Sequence, residues 1–500
     1  MKSNNECILK SIKSVAINDP DRTAIVTEFS DMTYGQLWNY SEMLAHWIKQ
    51  NVDNTIPIMV YGHKNPYTLV CFLACAKSGH AYCPIDISIP KDRIEKIAKI
   101  IDNDIVFSTE SLELDCYDVI SIEMIKDICN KPCNLSADES WQVQGNDTFY
   151  IIFTSGSTGT PKGVEISEFN LTNFVNWAKN LSMPYLKNGN NIFLNQAPFS
   201  FDLSVFDTYL SLTTGGTLVC LDKNLIANMA NLFEFLNKSG PECWVSTPSF
   251  VDMCMADKKF SSVLLPNIKL FLFCGEALTK STVSNLKQRF PDASIVNTYG
   301  PTESTVAVTF IEITDEVMNM EGPLPIGLPK PGTDIQIENG EIIIIGDTVA
   351  KGYFKDPEKT SMCFAEVSNA NNQTIRKYKT GDKGYFKNGT LYCDGRMDFQ
   401  IKMHGYRIEL GDIEKNLLLI PEIEQAIVLP KYNSGKIKHL IAFVKTPSLL
   451  DDFATSKYIK SQLKELLPSY MIPKQIRYLE EFPITNNGKI DRRKLEELIK

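Results

Sequence analysis

The 500-residue sequence predicts a multidomain α/β protein. Over roughly the first 400 residues, short apolar runs rich in β-branched residues alternate with amphipathic helical patterns, a rhythm typical of parallel sheets covered by helices. The runs Glu341–Ile345 and Lys351–Phe354 have Gly and Pro around them, and they predict a β-barrel-like or antiparallel subdomain. The expected fold is a large N-terminal domain (1–397) of helix-covered parallel sheets with this subdomain, followed by a small α+β C-terminal domain (398–500).

The individual elements follow from local composition. Apolar runs rich in β-branched and aromatic residues predict strands, here at Thr55–Tyr61, Phe149–Thr154, Ile192–Ala197, Thr217–Leu221, Cys243–Thr247 and Leu270–Cys274. Helical spacing of apolar residues predicts helices at Tyr34–Gln50 and Asn224–Ser239. In the final section, the same criteria predict helices at Gly411–Leu419 and Thr455–Leu467, strands at Gln425–Pro430 and His439–Val444, and an extended end.

Composition and charge limit the class of protein. The chain is 43% hydrophobic and 22% charged, as in soluble globular proteins. It contains no apolar stretch of membrane-spanning length, and Met1–Lys13 lacks the apolar core of a signal peptide. We therefore expect a cytoplasmic protein. The net charge of −9 argues against general nucleic-acid binding. Residues 399–500 carry a net charge of +4, which suits either an acidic partner or an ordinary solvated surface.

The 13 cysteines and five histidines do not have metal-binding spacing. Cys71 and Cys75 are four apart, as are Cys129 and Cys133, which is not the CxxC spacing of a zinc ribbon or redox pair. We expect reduced, mostly buried thiols and no His/Cys metal site.

A polar loop from Thr154 to Gly163 (TSGSTGTPKG) follows an apolar strand. Its glycines allow the backbone to wrap around an anion, its hydroxyls donate hydrogen bonds, and Lys162 supplies positive charge. The loop is not a Walker A motif, because Pro161 precedes the lysine and Gly163 follows it. The pattern predicts a phosphate-binding loop; a generic glycine-rich turn is the alternative.

This loop and seven further segments resemble, in the same order, the acyl-adenylate-forming superfamily of acyl-CoA synthetases, luciferases and peptide-synthetase adenylation domains. The seven segments are FSFDLS (199–204), NTYGPTE (297–303), GEI (340–342) with KGY (351–353), YKTGD (378–382), GRMDFQIK (395–402) with GYRIE (405–409), LPSYMIP (467–473) and NGKID (487–491). The resemblance covers residues 20–495, approximately. One departure is Lys379, which stands where arginine is usual; charge is kept but bidentate geometry is lost.

The resemblance implies an ATP site with a bound Mg²⁺. The ATP-binding positions are Thr154, Ser155, Gly275, Asn297, Thr298, Tyr299, Gly300, Pro301, Thr302, Asp382, Arg396 and Lys489. In this family the segment around Tyr299 contacts adenine, Asp382 accepts the ribose hydroxyls, and Arg396 approaches the ribose or phosphates. Glu303 is implied to hold the Mg²⁺, and a carboxylate is the hard oxygen ligand that this ion takes.

The resemblance also implies a two-step reaction. A substrate carboxylate attacks the α-phosphorus, pyrophosphate leaves, and a thiol then attacks the resulting acyl-AMP. Thr154, Lys162 and Lys489 are the implied catalytic residues; Lys489 contacts both the carboxylate and the α-phosphate. The small C-terminal domain is expected to be mobile, rotating about a hinge at Asp398 between the two steps.

Asp202 indicates which acid is activated. In the amino-acid-activating branch, the corresponding aspartate pairs with the substrate ammonium, whereas fatty-acid activators have no use for it; alternatively, Asp202 caps a local turn. The neighbouring sequence resembles the ligases of this branch that load D-alanine onto a carrier protein, at 193–205, 246–251, 273–276 and 297–308. That resemblance places Cys274 and a backbone contact at Val306 in the D-alanine pocket, with Lys489. Cys274 is otherwise simply one more buried thiol.

The implied function is activation of D-alanine with ATP, then transfer to the phosphopantetheine thiol of a separate carrier protein for lipoteichoic acid D-alanylation. We expect a monomer that neither inserts into membranes nor binds nucleic acid. Two alternatives remain within the enzyme class: a stand-alone ligase for another small amino acid, and an acyl-CoA ligase. A non-catalytic relative is disfavoured, because Lys162, Glu303 and Lys489 are all present.

Overall fold

The computed structural model describes residues 7–52, 55–131, 138–156, 160–186, 190–368, 374–433, 436–446, 452–484 and 490–499. The chain divides into two compact units. The first unit comprises residues 1–87, 100–153 and 163–397, and the second comprises residues 88–99, 154–162 and 398–500.

The strands within the described ranges are β1 (Thr23–Val26), β2 (Asp31–Thr33), β3 (Ile58–Tyr61), β4 (Tyr82–Ile85), β5 (Ile105–Ser108), β6 (Asp118–Ile120), β7 (Thr148–Thr154), β8 (Lys162–Ser167), β9 (Ile192–Asn195), β10 (Thr217–Cys220), β11 (Cys243–Ser246), β12 (Leu270–Phe273), β13 (Ser294–Tyr299), β14 (Thr309–Glu312), β15 (Leu328–Pro329), β16 (Thr333–Glu338), β17 (Glu341–Gly346), β18 (Gly352–Tyr353), β19 (Phe364–Ser368), β20 (Thr374–Lys387), β21 (Thr390–Arg396), β22 (Gln400–Met403), β23 (Tyr406–Glu409), β24 (Gln425–Asn433), β25 (Lys436–Lys445) and β26 (Gln475–Tyr478).

The helices in the same ranges are α1 (Ile8–Asn18), α2 (Tyr34–Asn51), α3 (Pro66–Lys77), α4 (Lys91–Ile101), α5 (Ile122–Cys129), α6 (Glu168–Ser182), α7 (Leu203–Thr214), α8 (Lys223–Ala227), α9 (Met229–Ser239), α10 (Pro248–Met255), α11 (Lys280–Arg289), α12 (Asp315–Asn319), α13 (Pro357–Cys363), α14 (Leu410–Leu417), α15 (Phe453–Leu466) and α16 (Arg492–Glu497).

Two large mixed sheets organise the first unit. One has the strand order β15-β14-β13-β12-β11-β9-β10-β1-β2, with parallel pairs from β13 through β1 and antiparallel pairs at its ends. The other has the order β18-β8-β7-β4-β3-β5-β6. Because parallel strands end at one edge of a sheet, the segments that follow β9, β11 and β12 lie along the same edge, where α/β proteins bind ligands.

Helix α7 fixes one part of that edge. Every residue from Leu203 to Leu212 is buried, and the helix packs against β9, β10, α1 and α6. Strand β9 is buried as well, since Phe193 and Leu194 have no exposed surface. The short segment between β9 and α7, which contains Asp202, is therefore held between two core elements.

The predicted β-barrel-like subdomain is an open antiparallel sheet. Its order is β16-β17-β20-β19, with β21 pairing with the second half of the long strand β20, and no barrel closes among the described residues. The antiparallel character is confirmed, but barrel closure is wrong, because Gly and Pro mark turns without determining whether the edge strands meet. The strand predicted at Lys351–Phe354 is β18, which pairs with β8 in the seven-stranded sheet instead.

The second unit contains the three-stranded sheet β24-β25-β26 and the hairpin β22-β23. One face of the three-stranded sheet packs in a cluster with α14 and α15, and the other packs against Leu495 and Ile499 at the C-terminal end. The predicted extended end is thus wrong in part, because α16 forms there. This helix has six residues, too few for a periodic pattern, and begins where the Asp491 carboxylate accepts hydrogen bonds from the backbone of Arg493 and Lys494.

The other predicted boundaries agree with the structure to within about three residues, with one exception. The single helix predicted at Asn224–Ser239 is wrong, since α8 ends and α9 begins at Asn228. The Asn228 side chain accepts hydrogen bonds from the backbone of Ala230 and Asn231, at 3.1 and 3.3 Å, so it caps α9 instead of continuing α8.

Two further sequence expectations concern thiols and membranes. In the part of the chain that the structure describes, the cysteines are free and most of them are buried. None of the described helices combines the length and apolar character that crossing a membrane requires.

We predict that Asn228→Ala loosens the first turn of α9. Loss of an N-cap side chain destabilises a helix by about 1 kcal/mol, so hydrogen exchange in residues 229–233 should be about fivefold faster. Asn231→Ala is the matched control, because Asn231 is exposed in the same turn and does not cap it with its side chain. Equal acceleration in both variants would show that Asn228 does not act as the cap.

Candidate active site

The carboxyl end of β13 presents three of the predicted nucleotide residues. Asn297 Nδ2 donates to the carbonyl of Pro325 at 2.9 Å, and Thr298 Oγ1 donates to the carbonyl of Phe273 at 2.9 Å. Both side chains are almost completely buried. Their polar groups thus fix the end of the strand against its neighbours, and this determines where the following residue, Tyr299, is placed.

Buried Tyr299 and Asp382 form a polar cluster with half-buried Arg396. The Tyr299 hydroxyl donates to one oxygen of Asp382 at 2.6 Å, and Arg396 Nη1 donates to the other at 2.7 Å. Burial, and after it the Asp382 carboxylate, raise the pKa of Tyr299, so the phenol stays protonated and donates. A carboxylate has about four acceptor positions, so Asp382 keeps capacity for further hydroxyl donors.

The turn from Gly300 to Ala307 is compact and strained. Thr305 and Val306 have φ of +57° and +67°, a conformation that is uncommon for β-branched residues and costs about 1–3 kcal/mol each. Thr305 Oγ1 donates to the carbonyl of Thr348 at 2.7 Å, which helps to hold the turn. A Cβ on Gly300 would lie 2.6 Å from Ala307 Cα, so only glycine fits there. This strain concentrates at the segment that the resemblance assigns to the substrate pocket.

Cys274 and Val306, the two predicted pocket residues, are in contact. Cys274 Sγ lies 3.7 Å from the Val306 carbonyl oxygen, within hydrogen-bonding distance for a thiol, and both residues are buried. Cys274 directly follows β12, and the next residue, Gly275, has φ of +92°, which favours glycine. The thiol therefore packs against the strained turn, and its position is fixed by two elements.

Glu303 is a fully buried carboxylate in the short 3-10 helix Thr302–Ser304, which follows Pro301. The Tyr353 hydroxyl donates to Glu303 Oε1 at 2.8 Å. This contact orients the carboxylate. A hard oxygen donor held in this way has the chemistry that Mg²⁺ requires.

Asp202 lies at the start of α7 and is half-buried. Its side chain accepts no cap hydrogen bond from the start of this described helix. Burial, followed by the Asp202 carboxylate, raises the pKa of Tyr150 on β7 well above its usual value. Asp202 therefore lies close enough to Tyr150 for its charge to influence the buried phenol.

The structure describes only part of the predicted phosphate loop, because residues 157–159 lie outside the described ranges. Within the second unit, Thr154 Oγ1 lies 3.5 Å from the Lys162 carbonyl, and Ser155 Oγ donates to the Arg407 carbonyl at 3.0 Å. Packing explains why residue 163 is a glycine, since a Cβ there would lie 2.7 Å from Ile151 Cγ2.

Two predicted residues carry little structural information. Lys489 lies outside the described residues, so its catalytic role stays a prediction. Asp398 is exposed, and its side chain accepts a hydrogen bond from the Gln400 backbone at 3.1 Å, as in a turn. The hinge role of Asp398 and the nucleotide and substrate roles of the other site residues likewise stay predictions.

Sequence reasoning did not assign roles to Tyr353, Thr305 or Thr380. Tyr353 orients Glu303, and its place in the KGY segment was the available signal. Thr380 accepts from Arg396 Nη1 with its carbonyl oxygen at 3.1 Å and supports the Asp382 cluster. Nothing in the sequence indicates the positive φ of Thr305, because β-branched residues normally avoid it.

Comparison with known proteins extends these local observations to the whole chain. The AMP-binding enzyme family model matches residues 12–354, and the AMP-binding enzyme C-terminal domain matches residues 412–489. The D-alanine–D-alanyl carrier protein ligase of Bacillus cereus (strain AH187) is 44% identical over 504 residues, covering 98% of this chain and 98% of that protein.

Solved structures support the same fold. Holo-PA1221, an NRPS protein containing adenylation and PCP domains, has a TM-score of 0.82 at 24% identity and covers 98% of this chain and 84% of that chain. The adenylation domain AlmE of Vibrio cholerae, in complex with glycyl-adenosine-5'-phosphate, has a TM-score of 0.80 at 20% identity and covers 99% and 98%. At these identities the structures support the fold alone. Together with the full-length sequence match, the family models show that the chain belongs to the AMP-binding enzyme family.

Proposed function

We propose that this chain is an ATP-dependent, AMP-forming ligase for D-alanine. It activates D-alanine as D-alanyl-AMP with release of pyrophosphate, and then transfers D-alanine to the phosphopantetheine thiol of a separate carrier protein, for lipoteichoic acid D-alanylation. The observation that carries the proposal is the 44% identity over 98% of the chain to a D-alanine–D-alanyl carrier protein ligase. The contact between Cys274 and Val306 supports it at the level of the pocket.

The first unit supplies a nucleotide site. In the proposal, the Tyr299 ring faces adenine, and Asp382 accepts the ribose hydroxyls with the lone pairs that Tyr299 and Arg396 leave. The carboxyl edge of the nine-stranded sheet, where β12 and β13 end, is also formed by Gly275, Asn297 and Thr298. Tyr299 and Arg396 hold the Asp382 carboxylate from within the protein, and an acceptor oriented by the protein reduces the entropy lost on binding.

Magnesium would be held by Glu303 together with the ATP phosphates. The buried carboxylate, oriented by Tyr353, fits a hard cation that keeps most of its other ligands as water and phosphate oxygen. When bound, the ion would neutralise charge on the departing pyrophosphate. A single protein ligand is consistent with an ion that arrives with the nucleotide.

The amino acid would bind beside the strained turn. Asp202 would pair with its ammonium group, and the Val306 carbonyl would accept a further hydrogen bond from it. The Cys274 side chain is small enough to leave room for a methyl group on one side and large enough to crowd the opposite configuration. Because the thiol packs on the Val306 carbonyl, this one contact would influence both binding of the ammonium group and selectivity for D- over L-alanine.

The first chemical step needs positioning and charge stabilisation rather than a general base. The substrate carboxylate is ionised at neutral pH, and its oxygen forms the bond to the α-phosphorus while the bond to pyrophosphate breaks. Thr154 and Lys162 would bind the phosphates, and Lys489 would bridge the carboxylate and the α-phosphate. In the second step, the thiol gives up its proton to solvent, its sulfur bonds to the acyl carbon, and AMP leaves as the bond between the acyl carbon and its phosphate oxygen breaks. Rotation at Asp398 would move Lys489 away between the steps.

We propose further that the protein acts in the cytoplasm as a monomer. The acceptor would be a separate acidic carrier protein, and the net charge of +4 in residues 399–500 supports an electrostatic contribution to its docking. Neither membrane insertion nor nucleic acid is needed for this reaction.

We predict that D-alanine drives ATP–pyrophosphate exchange best among D- and L-amino acids and short fatty acids. The comparison is made with the full chain and saturating ATP and Mg²⁺, reporting kcat/KM for each acid. Best exchange with L-alanine, another small amino acid or acetate would contradict the proposed substrate. Acyl transfer to a purified phosphopantetheinylated carrier protein, but not to coenzyme A, then separates a carrier-protein ligase from an acyl-CoA ligase.

We predict that Cys274→Ala lowers the ratio of kcat/KM for D-alanine to that for L-alanine by about tenfold, because a pocket contact of one or two heavy atoms contributes about 1–3 kcal/mol of discrimination. Cys254→Ala is the matched control, since Cys254 is an equally buried thiol in the apolar cluster around Trp244. An unchanged ratio in the Cys274 variant would remove this thiol from the selectivity argument.

We predict that Lys489→Ala reduces adenylation by a factor of about 100 or more, as removal of a transition-state charge contact does, but leaves transfer from preformed D-alanyl-AMP largely intact. Pyrophosphate exchange measures the first step, and single-turnover transfer to the carrier measures the second. Lys494→Ala, in the exposed part of α16, is the control. Equal losses in both steps would contradict the proposed departure of Lys489.

A further inference from the structure

A buried lysine outside the residues discussed so far lies next to the Asp202 segment. Lys64 follows β3, is 5% exposed, and donates hydrogen bonds to Asn195 Oδ1 and to the carbonyl of Ala197. Its ammonium also lies 4.4 Å from the centre of the Phe199 ring. The preceding residue is fixed too, since His63 Nδ1 is 2.7 Å from Asp86 Oδ2. The contact between His63 and Asp86 therefore helps to fix the backbone from which the Lys64 side chain extends.

The hydrogen bonds of Lys64 continue through Asn195 to Asp207, at the far end of the segment 195–207 that contains Asp202. Asn195 Oδ1 accepts from Lys64, and Asn195 Nδ2 donates to Asp207 Oδ1 on α7 at 2.7 Å. Asn195 and Asp207 have no exposed surface. One asparagine thus joins the start of the segment 195–207 to its end. Asp202 lies between the two attachment points.

Within this closed segment, the turn before Asp202 has its own hydrogen bonds. The Phe201 backbone donates to the Pro198 carbonyl at 2.9 Å, and Ser204 Oγ donates to the Phe201 carbonyl at 2.6 Å. These contacts fix the shape of the turn. The contacts of Lys64 with Ala197 and Phe199 add a direct link between this segment and the residues that follow β3.

We propose that Lys64 is a positioning residue for Asp202: it holds the segment 195–202 so that the Asp202 carboxylate meets the ammonium group of the substrate. The proposal rests on the proposed function, in which the substrate is an amino acid. Lys64 touches neither substrate nor nucleotide in this role. It acts through Asn195, Ala197 and Phe199.

The charges of the network make this role sensitive to single substitutions. Burial lowers the pKa of Lys64, and burial raises the pKa of Asp207 to about 8. Each charge is favoured by the presence of the other. Removing the ammonium would leave Asn195 Oδ1 and the Ala197 carbonyl as buried acceptors without their donor, so the segment would move to find other partners.

The test is Lys64→Met in the full chain, assayed by amino-acid-dependent pyrophosphate exchange. We expect the KM for the amino acid to rise by about tenfold or more, because a displacement of about 1 Å can cost a factor of 100. The KM for ATP and kcat should change by less than about twofold, since an ammonium contact made equally in ground and transition states affects KM alone.

Lys77→Met is the matched control. Lys77 is also fully buried in the first unit, but its partners Trp38, Ser41 and Glu42 all lie on α2. It should lower the thermal unfolding temperature without changing the KM for the amino acid. An unchanged KM in Lys64→Met, with a similar loss of thermal stability, would overturn the proposal and leave Lys64 a purely structural residue.

A second pair of variants covers the case in which Lys64→Met does not fold. Asp207→Asn keeps an acceptor for the Asn195 amide and Asp207→Leu removes it, so the leucine variant should raise the amino-acid KM several-fold more. Equal KM values would overturn the proposal. If the wild type prefers a different amino acid, the proposed function fails, but the Lys64 test proceeds with that amino acid. If it prefers an acid without an amino group, both fail.

Discussion

The hydrogen bond from Tyr299 to Asp382 joins the two sheets on which the candidate nucleotide site is built. Tyr299 ends β13 in the nine-stranded sheet, and Asp382 lies on β20 in the open antiparallel sheet. A buried phenol needs a hydrogen-bond acceptor, and a buried carboxylate needs donors and a counter-charge, which Arg396 supplies. The buried phenol and carboxylate therefore satisfy each other, and the half-buried Arg396 supplies the counter-charge. The edge of the large sheet and the antiparallel sheet are consequently held in a fixed relation within the first unit.

Most of the central strands are predictable from sequence, because a parallel strand buried on both faces is a continuous apolar run with polar or glycine-rich ends. Strands β9, β11 and β12 follow this rule. The errors arise where structure depends on distant residues. The sheet to which β18 belongs is decided by pairing with β8, almost 200 residues earlier in the chain. The break at Asn228 depends on the hydrogen bonds by which one side chain caps α9. The six residues of α16 are too few to show a helical pattern.

The candidate site, like the fold, is predictable in part: its residues can be identified from sequence, but their geometry cannot. Motifs identify Asn297, Thr298 and Asp382, but they do not reveal that the first two side chains are already used to fix the strand end. The positive φ of Thr305 and Val306 is contrary to local preference, so only tertiary contacts can maintain it. Gly300 permits the close packing of this turn, since any side chain there would collide with Ala307. The sequence therefore indicates which segments form the site, whereas its geometry depends on packing that no local pattern contains.

Buried Lys64 is poorly explained as a contribution to stability. Removing an ammonium from water is costly, and apolar side chains of similar volume often stabilise a core at least as well. Its donors are directed at neutral oxygens of Asn195 and Ala197, so the cation orients the segment without serving as the counter-ion of Asp202. An aspartate that is to bind an ammonium substrate must not be neutralised permanently by the protein's own lysine. Asn195, which separates Lys64 from Asp207, allows a positive group to organise this region, while in the proposed function Asp202 binds the substrate ammonium.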